Sequence, residues 1–185
     1  MEAFIEPPIK IPFYLKFGIW ISKRVTGREL LPAKILAWYP KAAIGSGALE
    51  SLVAHHDGKL DERMLKIVRI QASFAAACSF CIDMNSYQFE ETHITREELM
   101  VLQGRKAVED VTTFSKRELL AIQYAKLISQ SPLQFPRPFI EELKRHFNER
   151  EIVILASTAA QVNYWARLIQ ALGIPPAGFS NQCDL

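Results

Sequence analysis

Asp61-Glu-Arg-Met-Leu-Lys-Ile-Val-Arg-Ile-Gln-Ala-Ser-Phe-Ala-Ala-Ala-Cys78-Ser-Phe-Cys81-Ile-Asp-Met-Asn85 is the stretch whose reading decides the fold. Its first half repeats apolar residues at helical spacing: Met64, Ile67, Val68, Gln71, Phe74 and Ala75 share one side. The other side carries Glu62, Lys66, Arg69 and Ser73, with Glu62 and Lys66 in the favoured i, i+4 order. Cys78 and Cys81 form the single C-x-x-C of the chain. On a helix, residues i and i+3 lie roughly 5–6 Å apart, a separation a disulfide tolerates. The pattern stays helical to about Glu91. No Gly, Pro or Asn stands just before Cys78, so one long helix and a helix kinked at the cysteines are both open.

The same period governs the rest of the chain. Thr26-Gly-Arg-Glu29, Thr95-Arg-Glu-Glu98, Ser115-Lys-Arg-Glu118 and Asn148-Glu-Arg-Glu151 each match or resemble a capping box, in which cap and N3 side chains satisfy each other's backbone amides. Pro138 suits a first helical turn, and Gly173 followed by Pro175 and Pro176 reads as a helix stop. The helix after Asn148 is apolar well beyond one stripe, which predicts a central or interface position. Period-2 β-branched runs are missing. The reading is all-α, with roughly seven to nine helices. An arm rich in aromatics and proline (residues 1–56) precedes the cysteine-bearing core (57–185), on which it is expected to pack.

Composition narrows the function. The chain has 185 residues, 49% hydrophobic and 23% charged, which fits one compact domain. A net charge of +2 without a polybasic tract gives no reason to expect nucleic acid. The acidic, proline-broken start lacks the basic and apolar regions of a secretory signal, and no run is long enough to span a membrane. A reducing cytoplasmic setting is therefore expected, where a C-x-x-C is catalytic or metal-binding more often than structural. Three cysteines are too few for a disulfide scaffold, and Cys183 lies at the very end. No second C-x-x-C exists, and His55, His56, His93 and His146 have no zinc-ligand spacing, so neither metal nor cofactor is expected. The segment Phe13-Tyr-Leu-Lys-Phe-Gly-Ile-Trp-Ile-Ser-Lys-Arg24 is amphipathic with basic ends. Cover over a neighbouring subunit is preferred for it to contact with a membrane surface.

Thiol chemistry needs a thiolate, and a free thiol ionises near ~8.5. Three helpers are within the pattern: the N-terminus of a helix starting at Cys78, the cations Lys66 or Arg69, and a base acting through water. If the helix continues, Cys78, Cys81 and Asn85 line one face, with Asp83 pointing away. Spacing alone leaves redox chemistry and inert packing both open.

The run from Arg63 to Arg69 together with Ala77-Cys78-Ser-Phe-Cys81-Ile-Asp-Met-Asn85 resembles the carboxymuconolactone decarboxylase-like, or alkylhydroperoxidase D-like, family. Gln161-Val-Asn-Tyr-Trp-Ala-Arg167 followed by Leu172-Gly-Ile-Pro-Pro176 is similar to the closing helix of its longer peroxidase-related members, so the likeness extends over about residues 50–176. The resemblance implies an all-α fold and homo-oligomers, commonly trimers or hexamers. It implies a peroxidase in which Cys81 attacks the peroxide, Cys78 resolves the sulfenic acid as a disulfide, and a thiol or dithiol partner restores the pair. The family's proton relay uses a Glu and a His where this chain has Lys66 and Asn85. Lys66 could instead favour a thiolate, and Glu62 could substitute as the carboxylate. Two other readings remain open: a non-catalytic, redox-responsive oligomeric scaffold, and lactone decarboxylation, which would leave the thiol pair unexplained.

Overall fold

The computed structural model describes residues 2–52 and 60–180. The expected Asp57-Gly58 turn, His55, His56 and Cys183 lie outside the described residues. The described chain forms nine α-helices: α1 Phe13–Thr26, α2 Leu31–Ile35, α3 Pro40–Leu52, α4 Glu62–Ala75, α5 Ser79–Asn85, α6 Arg96–Leu102, α7 Lys116–Ile128, α8 Arg137–His146 and α9 Glu149–Ala171. No strand occurs among the described residues, in line with the all-α expectation.

Three of the four capping boxes form as read, at Thr95, Ser115 and Asn148. The fourth does not. Thr26 is the last residue of α1, and its hydroxyl donates back to the Ser22 carbonyl at 2.8 Å. Gly27 then adopts φ +72° and ends the helix. Glu29, free of any capping duty, pairs with Lys34 and Lys23.

Helix α4 is the axis of the core and packs on α5, α7 and α9. One of its faces (Leu65, Val68, Ala72) joins Leu155, Ala159 and Val162 of α9 in a buried cluster that also holds both cysteines. A second face (Ile67, Ile70) packs with Ile94, Leu102 and Ile122. The central placement read for the last helix is therefore correct. The arm contributes Ile35 to the first cluster. Its aromatics Phe13, Tyr14, Phe17, Trp20, Trp38 and Tyr39 are exposed. Among the described residues no helix is long and apolar enough to cross a membrane.

The capping-box glutamates do a second task. Glu98 and Glu118, both buried, each receive Arg63 of α4, at 2.7 Å in both cases. Glu98 also accepts from the Thr113 hydroxyl at 2.6 Å and the Thr95 amide at 2.8 Å. One guanidinium thus locks the first turns of α6 and α7 onto α4. Burial alone would push the Glu98 carboxyl up, but its bonds from Arg63, Thr113 and Thr95 together hold it below the usual value.

A folded-state pKa below the unfolded one stabilises the protein above the unfolded value, near pH 4.5, and that contribution is lost as pH falls through the depressed value. Arg63→Ala should strand two buried carboxylates and cost about 3–5 kcal/mol in urea unfolding. It should also flatten the acid limb of stability below about pH 4.5. A loss under about 1 kcal/mol would mean the hub is solvated and weak.

Candidate functional site

The cysteines sit at a break between two helices. α4 ends at Ala75. The Ala77 amide then bonds the Phe74 carbonyl at 3.0 Å, and the Cys78 amide bonds the Ser73 carbonyl at 3.2 Å. These two bonds are the paired closure of a Schellman motif, which needs a left-handed residue one place beyond the cap. That residue is Ala77, at φ +47°. α9 ends with the same pair of bonds around Gly173, at φ +62°. There glycine also leaves room for the Phe4 ring, which a Cβ would meet at 2.5 Å. A long helix through the cysteines, and helix as far as Glu91, are thus both overturned: α5 stops at Asn85, and Gln88 is left-handed.

The break changes what Cys78 is. It has extended backbone and serves as the N-cap of α5, its Sγ accepting from the Cys81 amide at 3.2 Å. Of the three helpers weighed from the pattern, the helix N-terminus is the one in hydrogen-bond contact with Cys78. Cys78 and Cys81 are disulfide-bonded across a Cα–Cα distance of 5.2 Å. Both are buried, Cys78 at 0% exposure and Cys81 at 4%, so of the two only Cys81 presents any surface.

Beyond the cysteines the chain doubles back along the polar side of α4. That side is half-buried at Lys66 and Arg69 and buried at Ser73. Lys66 Nζ donates to the Tyr87 carbonyl at 2.8 Å. Burial, and after it the neighbouring Arg69 charge, lower the Lys66 pKa. Burial likewise lowers that of Arg69, opposed by Glu50 of α3. Asn85 Nδ2 donates to the Ser73 hydroxyl at 2.9 Å, and that hydroxyl donates in turn to the Arg69 carbonyl at 2.7 Å. Glu62 stays exposed in the first turn of α4 and forms no ion pair with Lys66. Since α4 rises ~1.5 Å per residue, Glu62 lies ~20 Å along the helix from the end that carries the break. The structure therefore places Asn85 against the last turn of α4 and Lys66 against the segment after α5, one turn from Glu62, which stays at the far end. The expected shared face of Cys78, Cys81 and Asn85 reduces to Cys81 and Asn85, because Cys78 precedes the helix.

One neighbour of the cysteines has a partner the sequence reading missed. Asp83 is fully buried and accepts the backbone amides of Gly178 at 2.7 Å and Ser180 at 2.6 Å. Arg28 of the arm holds the same segment through the Ala177 and Gly178 carbonyls, at 2.8 and 2.6 Å. Phe179 lies between the Arg28 guanidinium and the Tyr87 ring. The tail thus straps the arm to the cysteine helix. A lone acid inside the apolar run Cys81-Ile-Asp-Met84 was the available signal.

Comparisons with known proteins give the fold. No family model matches the chain. It is 25% identical over 176 residues to the uncharacterized protein YnjA of Escherichia coli (strain K12), covering 93% of each. An uncharacterized peroxidase-related protein from Ralstonia eutropha JMP134, described as an alkylhydroperoxidase AhpD core, superposes with a TM-score of 0.80 at 14% identity, over 100% of this chain and 98% of that one. The debrominase Bmp8, solved with 2,3,4-tribromopyrrole, superposes with a TM-score of 0.77 at 18% identity, over 94% and 91%. The chain has the alkylhydroperoxidase D-like fold, and that fold carries more than one chemistry.

Ala77 in the left-handed region costs about 1–2 kcal/mol. Ala77→Gly should therefore stabilise the protein by about 1 kcal/mol in denaturant titration, with the disulfide still formed. A destabilised variant would show that the methyl group of Ala77 is needed for packing.

Proposed function

We propose that this protein is a thiol-dependent redox enzyme of the peroxidase type, in which Cys81 is oxidised by a hydroperoxide and Cys78 resolves it. The observation that carries the reading is the N-cap position of Cys78. A thiolate there is favoured by the start of α5 and by the Cys81 amide. Such a sulfur suits a resolving thiol twice over. It is a ready nucleophile toward an oxidised Cys81, and a good leaving group when a reductant later attacks Cys81.

The steps balance as follows. The Cys81 thiol gives up its proton to water, its thiolate forms an S–O bond to the terminal oxygen of R–O–O–H, the O–O bond breaks, and R–O⁻ takes a proton back from water to leave as R–OH. Cys81 is then a sulfenic acid. The Cys78 thiolate attacks its sulfur, the S–O bond breaks, and protonated hydroxide leaves as water. One thiolate of an external dithiol attacks Cys81 and Cys78 leaves; the second thiolate then attacks the reductant sulfur of that mixed disulfide, Cys81 leaves, and the dithiol departs as a disulfide. A reducing, cytoplasmic setting would supply that dithiol, and assembly into a homo-oligomer belongs to the same reading.

Lys66 and Asn85 set the expected rate. Neither takes a proton from Cys81 in the way a Glu–His relay would: Lys66 is committed to the Tyr87 carbonyl and Asn85 to Ser73. Loss of a positioned base costs a factor of roughly 10²–10⁴. The wild-type protein should therefore be a slow peroxidase. The same commitments favour a second reading, a redox-responsive scaffold that forms the disulfide without turning over.

Steady-state consumption of an organic hydroperoxide with a dithiol separates the two. Cys81→Ser should abolish turnover, and the pair Lys66→Glu with Asn85→His should raise it by roughly 10²-fold. If the Cys81→Ser protein matches the parent, the peroxidase assignment is wrong. A parent that forms the disulfide once and never turns over is the scaffold.

A further inference from the structure

Both sulfurs are shut in. Cys78 is 0% exposed and Cys81 4%, and α5 packs on α4 and α9. A dithiol attacks a disulfide in line with the S–S bond, so its sulfur must come up to Cys81 from the side away from Cys78. The closed arrangement leaves it almost no approach, and one element has to give way. α4 is the axis of the core, and α9 runs to 23 residues. α5 has seven. A helix that short has little stability of its own and stands by what its side chains hold. Asn85, on the Cys81 side, donates to Ser73 of α4. Asp83, two residues from Cys81 and so about 200° round the helix, holds the tail instead.

Asp83 ties the strap and the helix into one unit. Its carboxylate is fully buried, Oδ2 taking the Gly178 amide and Oδ1 the Ser180 amide. Lifting the strap alone would leave a buried charge without these donors. Moving α5 alone would carry the carboxylate away and leave both amides without it. Each half-open state is strongly unfavourable. Water can satisfy the carboxylate and the amides only when strap and helix part in one event. The strap has no helix or sheet ladder of its own to keep it in place. On its outer side Arg28 grips the Ala177 and Gly178 carbonyls and lies over the Phe179 ring, 4.8 Å from its centre.

We propose that the strap 177–180 and α5 open as one unit, and that this opening is what admits the reductant to Cys81. Asp83 and Arg28 are then positioning residues. They act through α5 and the strap rather than on the sulfurs, and they set how often the disulfide can be reached. Local opening of this kind draws on the least supported part of a fold while its pillars stay closed. The exchange that follows is the dithiol step written above. The proposal rests on the thiol-redox reading for its dithiol and on none of the peroxide chemistry.

Reduction of the preformed disulfide by dithiothreitol, sampled by alkylation and intact mass, tests this in the full chain. Arg28→Ala removes two hydrogen bonds and the ring contact. Gly178→Ala puts a side chain at φ +77°, its Cβ 3.3 Å from Arg28 Nη1. Each should speed reduction by about tenfold or more. Hydrogen exchange followed by NMR reads the opening itself, in the parent as well as the variants. In the oxidised parent the Ile82 and Ser86 amides, bonded along α5, should open together with those of Gly178 and Ser180. Both variants should lose protection at these amides while α4 and α9 keep theirs. Folded variants reduced at the parental rate overturn the proposal. So do α5 amides that stay protected while the strap amides exchange, or a loss of protection that spreads equally to α4 and α9. No hydroperoxide is used, so a protein that fails as a peroxidase can still pass this test, and a working peroxidase can fail it.

Discussion

The reversal at Ala76-Ala77-Cys78 is the constraint on which the site depends. Two backbone bonds close the end of α4 and force Ala77 into the left-handed region. From that point the chain can only restart, and Cys78 becomes the residue that caps the new helix. The cap places one sulfur at the start of α5 and the other one turn in, 5.2 Å apart between Cα atoms. It also turns α5 and the segment after it back along α4, which buries Ser73 and half-buries Asn85 and Lys66 as a polar layer. Had α4 run on through the cysteines, Cys78 would have been an ordinary interior position without the helix-start amides that favour its thiolate.

The polar layer explains how the fold tolerates departures from the relay. A Glu and a His at these positions would exchange a proton. Lys66 and Asn85 instead hold backbone and hydroxyl partners, tying α4 to the return segment. The cation, its pKa lowered by burial, sits beside Arg69, so this wall of the site is positive rather than acidic. The strap held by Asp83 and Arg28 binds the arm to the same helix. Glu50 of α3, which accepts from Gln161 and Trp165 of α9, ties the arm to the core a second time.

Much of the fold could be read from local rules. Three capping boxes, the Gly173 stop and the 3.6-residue period all act within one turn, and all are where they were read. The failures share a cause. Thr26 has the residue types of a cap, yet Gly27 one place later makes it an end. The break before Cys78 carries no Gly, Pro or Asn; Ala77 itself takes the left-handed conformation that Gly or Asn usually supplies. Arg63, Lys66 and Asp83 are long-range features, with the partners named here at least 21 residues away, and Asn85 stands 12 from Ser73. The thiol pair was legible because its two residues are neighbours in sequence, whereas the wall around it is assembled from α4, the return segment and the tail.

The central claim is that the pair is a working two-electron centre and not a fixed bridge. Intact-mass spectrometry of the fully reduced protein, after one equivalent of an organic hydroperoxide, tests it most directly. The account requires the loss of two hydrogens confined to a Cys78–Cys81 peptide, and their return on adding dithiol. A mass that does not change, or one that rises by oxygen atoms retained on Cys81 with Cys78 still free, would contradict it.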